Sequence, residues 1–274
     1  MKISTYLENY ERDLLQKRYS AATIKNYLCQ VKMFLTHFKE KDSPKHISES
    51  EIKNYLLTAK EVNSQNHMHS AIKLFYTHTI HQHRKFAFIE YARREIKLPQ
   101  PLDQSEVKAI INSCGNLKHK AIIFLLYGCG MRVSEVIHLE IKSIDSVKNI
   151  INIIGAKGKK DRQVMLPEKT LLLLREYFVV YKPQQYLFNG QFDIQYSATS
   201  INQFLKKYAK AAGIKKNVHA HLFRHSFATH LLENGTDIKL IQGLLGHASA
   251  KTTEIYTHVT SKLISNIASP LSFL

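Results

Sequence analysis

His221-Leu222-Phe223-Arg224-His225-Ser226-Phe227-Ala228-Thr229-His230-Leu231-Leu232-Glu233-Asn234-Gly235 is the stretch on which the reading of this chain turns. It reads as an amphipathic helix that ends at a glycine, the residue best suited to the left-handed turn after a helix. Positions three apart on a helix share a face, so His221 and Arg224 point together. A proton carrier then stands beside a planar donor fork of fixed charge. Farther on come Leu240-Ile241-Gln242-Gly243-Leu244-Leu245-Gly246-His247 and, nine residues after His247, Tyr256. Each residue alone has a plain structural reading. A histidine after Gly246 can satisfy helix-end carbonyls, and a single tyrosine is ordinarily core or surface.

Upstream, Asn149 to Ile154 reads as a strand, Gly155 to Asp161 as a lysine-rich turn, and Arg162 to Pro167 as the returning strand of a β-hairpin. A long apolar helix, Ala121 to Tyr127, stops at Gly128-Cys129-Gly130, shortly before Arg132. Arg132 has Glu135 three residues on, the spacing of a structural ion pair. Leu98-Pro99-Gln100-Pro101 cannot continue a helix and marks a linker; Asp103 or Ser105 caps the helix that follows. Before the linker the pattern is helical throughout. Tyr6, Leu7, Tyr10, Leu14 and Leu15 form one apolar face. Ser20 caps a second helix bearing Ile24, Val31 and Leu35, Ser48 or Ser50 starts a third, and a fourth runs through Ile72, Phe75 and Ile80. The expected organisation is a helical bundle over 1–97, a linker over 98–103, and a mainly α domain with a small β-sheet over 104–274.

The chain has 39 Lys plus Arg against 22 Asp plus Glu, a formal charge of +17. Residues 1–97 carry 17 basic and 10 acidic groups, so the excess is spread along the chain and is not a tail. Such a balance suits a protein that meets a polyanion with both halves. No apolar run reaches the length of a membrane span, and the polar N-terminus does not read as a secretory signal. Cys29, Cys114 and Cys129 have neither zinc nor redox spacing and read as free core thiols in a reducing cytosol. His67, His69, His78, His81 and His83 come without cysteine pairs and read as facing DNA or solvent, not as a zinc site. His225 and His230 read as packing residues.

The segments His221 to Gly235 and Leu244 to Val259 together resemble the tyrosine recombinases, or phage integrases, most closely the bacterial Xer and integron-type enzymes. Gly128 to Leu139 is similar to the motif that carries the family's first catalytic arginine, here Arg132. The hairpin Ile153 to Pro167 is similar to the one that carries its lysine, here Lys157. The resemblance then implies His221 and Arg224 as the His-x-x-Arg pair, His247 as the second histidine and Tyr256 as the nucleophile. It is strong over 102–260 and rests on helix pattern alone over 1–97. Met131 stands where leucine is usual, and His219-Ala220 where Ser-Pro is common; neither change removes a catalytic atom. The resemblance implies an N-terminal SAM-like core-binding domain and a catalytic domain in a C-shaped clamp on double-stranded DNA with short inverted half-sites. It also implies a homo-tetramer, or assembly with a second recombinase, in the cytoplasm, with no membrane contact and no metal, ATP or other cofactor. The C-terminal stretch Ser261 to Leu274 is expected to dock into a neighbouring protomer.

The residue types suit that chemistry in their own right. Arg132 and Arg224 match a phosphate that gains charge as it is attacked. A tyrosine hydroxyl, with its ordinary pKa of about 10, needs a base, and His221 is placed to be one. The departing 5′-alkoxide needs a proton, which Lys157 can give if neighbouring arginines lower its pKa. His247 can donate to a phosphate oxygen. The covalent 3′-phosphotyrosine stores the bond energy for rejoining. Two rivals remain at this point: a type IB topoisomerase-like enzyme that relaxes DNA, and a DNA-binding regulator that has kept the fold without the chemistry. Retention of Arg132, Arg224 and Tyr256 speaks against the second.

Overall fold

In the computed structural model, which describes residues 2–93, 100–154, 161–190 and 195–246, side-chain caps set several helix starts. The chain divides into two units, Met1–Ile96 and Lys97–Leu274. In the first, α1 (Ile3–Gln16) is followed by α2 (Ala21–His37), where Ser20 Oγ accepts the Thr23 N–H at 3.2 Å. Ser48, not Ser50, starts α3 (Glu49–Leu56): its hydroxyl takes the Glu51 N–H while the Glu51 carboxylate takes the Ser48 N–H at 2.8 Å. The fourth helix, α4 (Val62–Leu74), does not run on to Ile80 as an α-helix. It widens into a π turn over Phe75–Thr79, and the Ile80 N–H reaches back to the Phe75 carbonyl.

Tyr10, Val31, Phe34, Leu35, Ile72 and Phe75 form the centre of this unit. Phe34 meets the rings of Phe38, Tyr55 and Tyr76 edge-on, with centroids 5.2, 5.1 and 6.1 Å away, the geometry that aromatic quadrupoles favour. Two expectations are corrected here. Cys29 is exposed and not a core thiol, because it lies two residues from Val31 and so about 200° round α2 from the buried face. His69 does not face solvent: it is buried, and its Nε2 bonds the Ile89 carbonyl at 2.8 Å. Burial holds its imidazole below the ordinary value. His67, His81 and His83 are exposed as expected. Among the described residues no group of three or more His, Cys, Asp or Glu is arranged to hold a metal.

In the second unit Asp103, not Ser105, caps α5 (Gln104–Ser113): the Asp103 N–H goes to the Glu106 carboxylate at 2.8 Å. Then come α6 (Leu117–Gly128), α7 (Val133–Ile137) and a three-stranded antiparallel sheet of β1 (Ile144–Asp145), β2 (Ile150–Ile153) and β3 (Arg162–Met165), in that order. Ile151 pairs with Val164 and Ile153 with Arg162, which turns Ile151, Ile153 and Val164 to the core. The hairpin matches the sequence reading; β1, at two residues, is too short to show a period. Among the described residues, four helices follow: α8 (Glu168–Tyr181), α9 (Ala198–Ala211), α10 (Ala220–Glu233) and α11 (Ile238–Leu245).

The helix α10 is less amphipathic than its sequence suggests. Burial extends nearly all round it, from Ala220, Leu222 and Phe223 to Phe227, Ala228 and Leu232, and it packs against α6 and α11. Two of its buried polar side chains, Ser226 and His230, have partners across the fold. Ser226 Oγ receives the Leu102 N–H at 2.8 Å and donates to the Leu222 carbonyl, and His230 Nδ1 meets the Tyr127 hydroxyl at 2.8 Å. Cys114 and Cys129 are buried, as read. Among the described residues no helix is long and apolar enough to cross a membrane.

Candidate active site

After α6 the chain turns at Gly130, whose φ of +62° suits a residue without Cβ. A Cβ there would come within 2.5 Å of the Phe227 ring, so α10 lies directly against this turn. The approach lets Arg224 Nη1 donate to the Gly130 carbonyl at 2.6 Å, while Nη2 donates to the Leu245 carbonyl at 2.5 Å. Arg224 is only 1% exposed. Nη1 and Nη2 each donate to a carbonyl, which offsets part of the cost of enclosing the guanidinium, and the two bonds fix the plane of the fork.

Arg132 stands at the N-cap of α7. Its N–H goes to Glu135 Oε2 at 2.7 Å, its Nη1 to Glu135 Oε1 at 2.8 Å, and its Nη2 to the Gly246 carbonyl at 3.1 Å. The structural pair with Glu135 is therefore present, and the same arginine also reaches the end of α11. Arg162, on β3, holds the same carboxylate. Its Nη1 and Nη2 lie 2.7 Å from Oε1 and Oε2, and its Nε donates to the Leu244 carbonyl at 3.0 Å. Burial pushes the Glu135 carboxyl up, but the bonds and charges of Arg162 and Arg132 outweigh it and hold the group below the usual carboxylate range.

The consequence is an unusual helix end. The last carbonyls of a helix have no partners within it and carry the negative end of its dipole. At α11 the carbonyls of Leu244, Leu245 and Gly246 each receive a guanidinium, from Arg162, Arg224 and Arg132 in turn. Two of the forks expected to bind phosphate thus stand at adjacent carbonyls.

His221 opens α10 on the exposed side and packs edge-on against His225, with ring centroids 4.4 Å apart. Partial enclosure of the ring, then the charges of Arg224, His219 and Arg132, hold its imidazole below the ordinary value. It stands beside two fixed cations that disfavour its protonated form. His219 supplies the helix cap that serine would give in the family pattern: its Nδ1 accepts the Leu222 N–H at 3.3 Å. A cleft of about 770 Å³ reaches Arg132 and Glu135 and is lined by polar side chains, among them Ser134, His138, Lys142 and Asn152, and by Leu139, Ile153 and Ile154.

Of the six residues expected at the site, Arg132, His221 and Arg224 are brought together. Lys157, His247 and Tyr256 lie outside the described residues, as do the hairpin turn 155–160 and the C-terminal stretch from 261. Sequence reasoning gave no site role to Glu135 or Arg162. Glu135 carried a signal, the i,i+3 spacing from Arg132. Arg162 carried none, for its partner is 27 residues away.

Known proteins resemble this chain in both units. The model of the phage integrase family matches residues 100–262, and that of the phage integrase N-terminal SAM-like domain matches residues 6–85. A tyrosine recombinase of Pseudothermotoga lettingae is 32% identical over 271 residues, 93% of this chain and 94% of its own. Tyrosine recombinase XerA of Pyrococcus horikoshii is 42% identical over 170 residues, 60% of this chain and 59% of its own. The crystal structure of XerA recombinase matches 96% of both chains with a TM-score of 0.58 at 32% identity.

Proposed function

The chain belongs to the phage integrase family and is a site-specific tyrosine recombinase acting on DNA, and from that premise we propose how its residues divide the work. Arg132 and Arg224 grip the two non-bridging oxygens of the scissile phosphate and stabilise the charge that builds there. His221 takes the proton of the Tyr256 hydroxyl. The phenolate oxygen then forms an ester with the 3′-phosphate as the bond to the 5′-oxygen breaks. Lys157 protonates the departing 5′-oxygen, and His247 donates to a phosphate oxygen. The reverse steps join a new 5′-hydroxyl, and the ester itself supplies the bond energy.

One observation carries this reading. The guanidiniums of Arg132 and Arg224 bind neighbouring carbonyls at one helix end, and His221 lies close enough to feel both charges. In the wider proposal, residues 1–97 and 104–274, joined by a linker over 98–103, both grip the duplex, in keeping with basic excess in each. Four protomers act on paired sites built of inverted half-sites, in the cytoplasm, with the stretch 261–274 reaching a neighbour.

The test is covalent trapping. A binding site is selected from a pool of random duplexes and rebuilt as a nicked suicide substrate. The wild-type chain should form a protein–DNA adduct; Tyr256→Phe should form none while binding the duplex with near wild-type affinity. An adduct that persists with Tyr256→Phe would move the nucleophile to another tyrosine.

A further inference from the structure

The contacts of Arg162 reach farther than those of a strand-end residue need to. Each oxygen of Glu135 is shared between Arg162 and Arg132, so the carboxylate is a bridge between the two guanidiniums. The third contact of Arg162, Nε to the Leu244 carbonyl, ties the same group to the end of α11. Its shaft passes so near Gly246 that a Cβ there would lie 2.7 Å from Cδ and 3.2 Å from Nε. Gly246, at φ +61°, is thus suited to its place both by backbone conformation and by the arginine beneath it. The Arg162 side chain is only 7% exposed, and its Nε, Nη1 and Nη2 are all engaged by the Leu244 carbonyl and Glu135.

Three parts of the proposed machinery meet at this side chain. Through Glu135 it touches Arg132. Through Leu244 and Gly246 it touches the helix end from which the chain runs directly into His247. Through its own backbone it belongs to β3, the strand that returns from the hairpin turn bearing Lys157.

We infer that Arg162 is a positioning residue for DNA cleavage, one that locks Glu135 and the end of α11 in place and so sets where the Arg132 fork stands. The inference rests on the site assignment proposed above. It makes Arg162 necessary for the rate of the covalent step and dispensable for DNA affinity. A displacement of about 1 Å in a catalytic group can cost about a hundredfold in rate. Glutamine at this position cannot neutralise Glu135, which would then hold a proton more readily, and its grip on Arg132 would fail as pH falls.

The experiment compares wild type, Arg162→Gln, Arg162→Lys and Tyr256→Phe on one suicide duplex, with affinity, melting temperature and single-turnover adduct formation measured across pH. Tyr256→Phe separates the two readings: an adduct in that variant would sink the site assignment whatever the Arg162 variants do. With that control blank, Arg162→Gln should form adduct about a hundredfold more slowly at near wild-type affinity. Its acid limb should also lie at higher pH than that of the wild type, whose rate falls as His221 takes up a proton. Arg162→Lys keeps the charge without the fork, so it should recover part of the rate and the wild-type pH dependence. A wild-type rate in Arg162→Gln would overturn the inference. So would a loss of adduct matched by the loss of affinity, or an unchanged pH profile. Should Arg162→Gln fail to fold, Arg162→Lys decides: a slowed covalent step at retained affinity supports positioning, and a wild-type rate refutes it.

Discussion

In the first unit the buried polar groups are neutral. Tyr10 donates to the Ala71 carbonyl and Tyr76 to the Pro44 carbonyl, each at 2.8 Å, and the Asn66 amide pairs with both backbone groups of Ala92. The aromatic rings around Phe34 fill the remaining space. In the second unit the polar groups enclosed around α11 include full charges: Arg224, Arg162 and Glu135, with Arg132 at the edge. The costs differ. A neutral group moved into the core with its bond made contributes about 1 kcal/mol. A buried ionic cluster rarely improves on apolar side chains of equal volume. The task proposed for it accounts for its presence. Guanidiniums must be held rigid and dry before a phosphate arrives, and a shared carboxylate with a helix end does so. One unit is thus built for stability, the other spends some of it on preorganisation.

The largest effect that would test this contrast lies in the neutral unit. Phe34→Ala should cost about 3–5 kcal/mol in urea unfolding of the full chain, since it empties the centre of an aromatic cluster. Adduct formation at saturating DNA, in conditions where the variant stays folded, should stay near the wild-type rate. A loss below about 1 kcal/mol would show that the ring cluster is not what holds the unit together.

The reverse pattern is expected of Arg224→Gln. Adduct formation should slow by about 10²–10³-fold, as when a donor to a developing oxyanion is removed. Unfolding of the first unit should not change. If the rate fell by less than about tenfold, the buried fork would serve structure more than chemistry.

The smallest effect concerns protons. The His219 cap needs a bare Nδ1, and burial, then the Lys206 charge, hold its imidazole below the ordinary value. Its contribution to stability is therefore fully present above the unfolded value of about 6.5 and is lost as pH falls through the lower folded value. His119 and His221 are shifted the same way in this unit, each by burial first. His219→Ser keeps a capping oxygen without a titrating group. The loss of stability between about pH 7 and pH 5 should be shallower in that variant, by about 1 kcal/mol or less. An unchanged slope would assign the acid sensitivity to the other histidines.

Features that depend on near neighbours were legible in the amino-acid sequence. Ser20, Ser48 and Asp103 start helices because a cap acts within three residues. The hairpin is readable because strand alternation and turn residues are local. The order of Arg132, Lys157, His221, Arg224, His247 and Tyr256 is a sequence property, and so is the family likeness it carries. The rest depends on which elements lie side by side. Cys29 and His69 each stood on a readable helix, yet their exposure and burial follow from which face the other helices cover. The reading of α10 as amphipathic failed because α6 and α11 pack on faces that sequence periodicity leaves to solvent. Arg162, Arg224 and Arg132 reach one helix end from separations of 82, 21 and 114 residues. Nothing local marks such a meeting: a charged side chain finds its partner only after the apolar core has brought the elements together, and the cost of burying it then forces the bonds that fix the site.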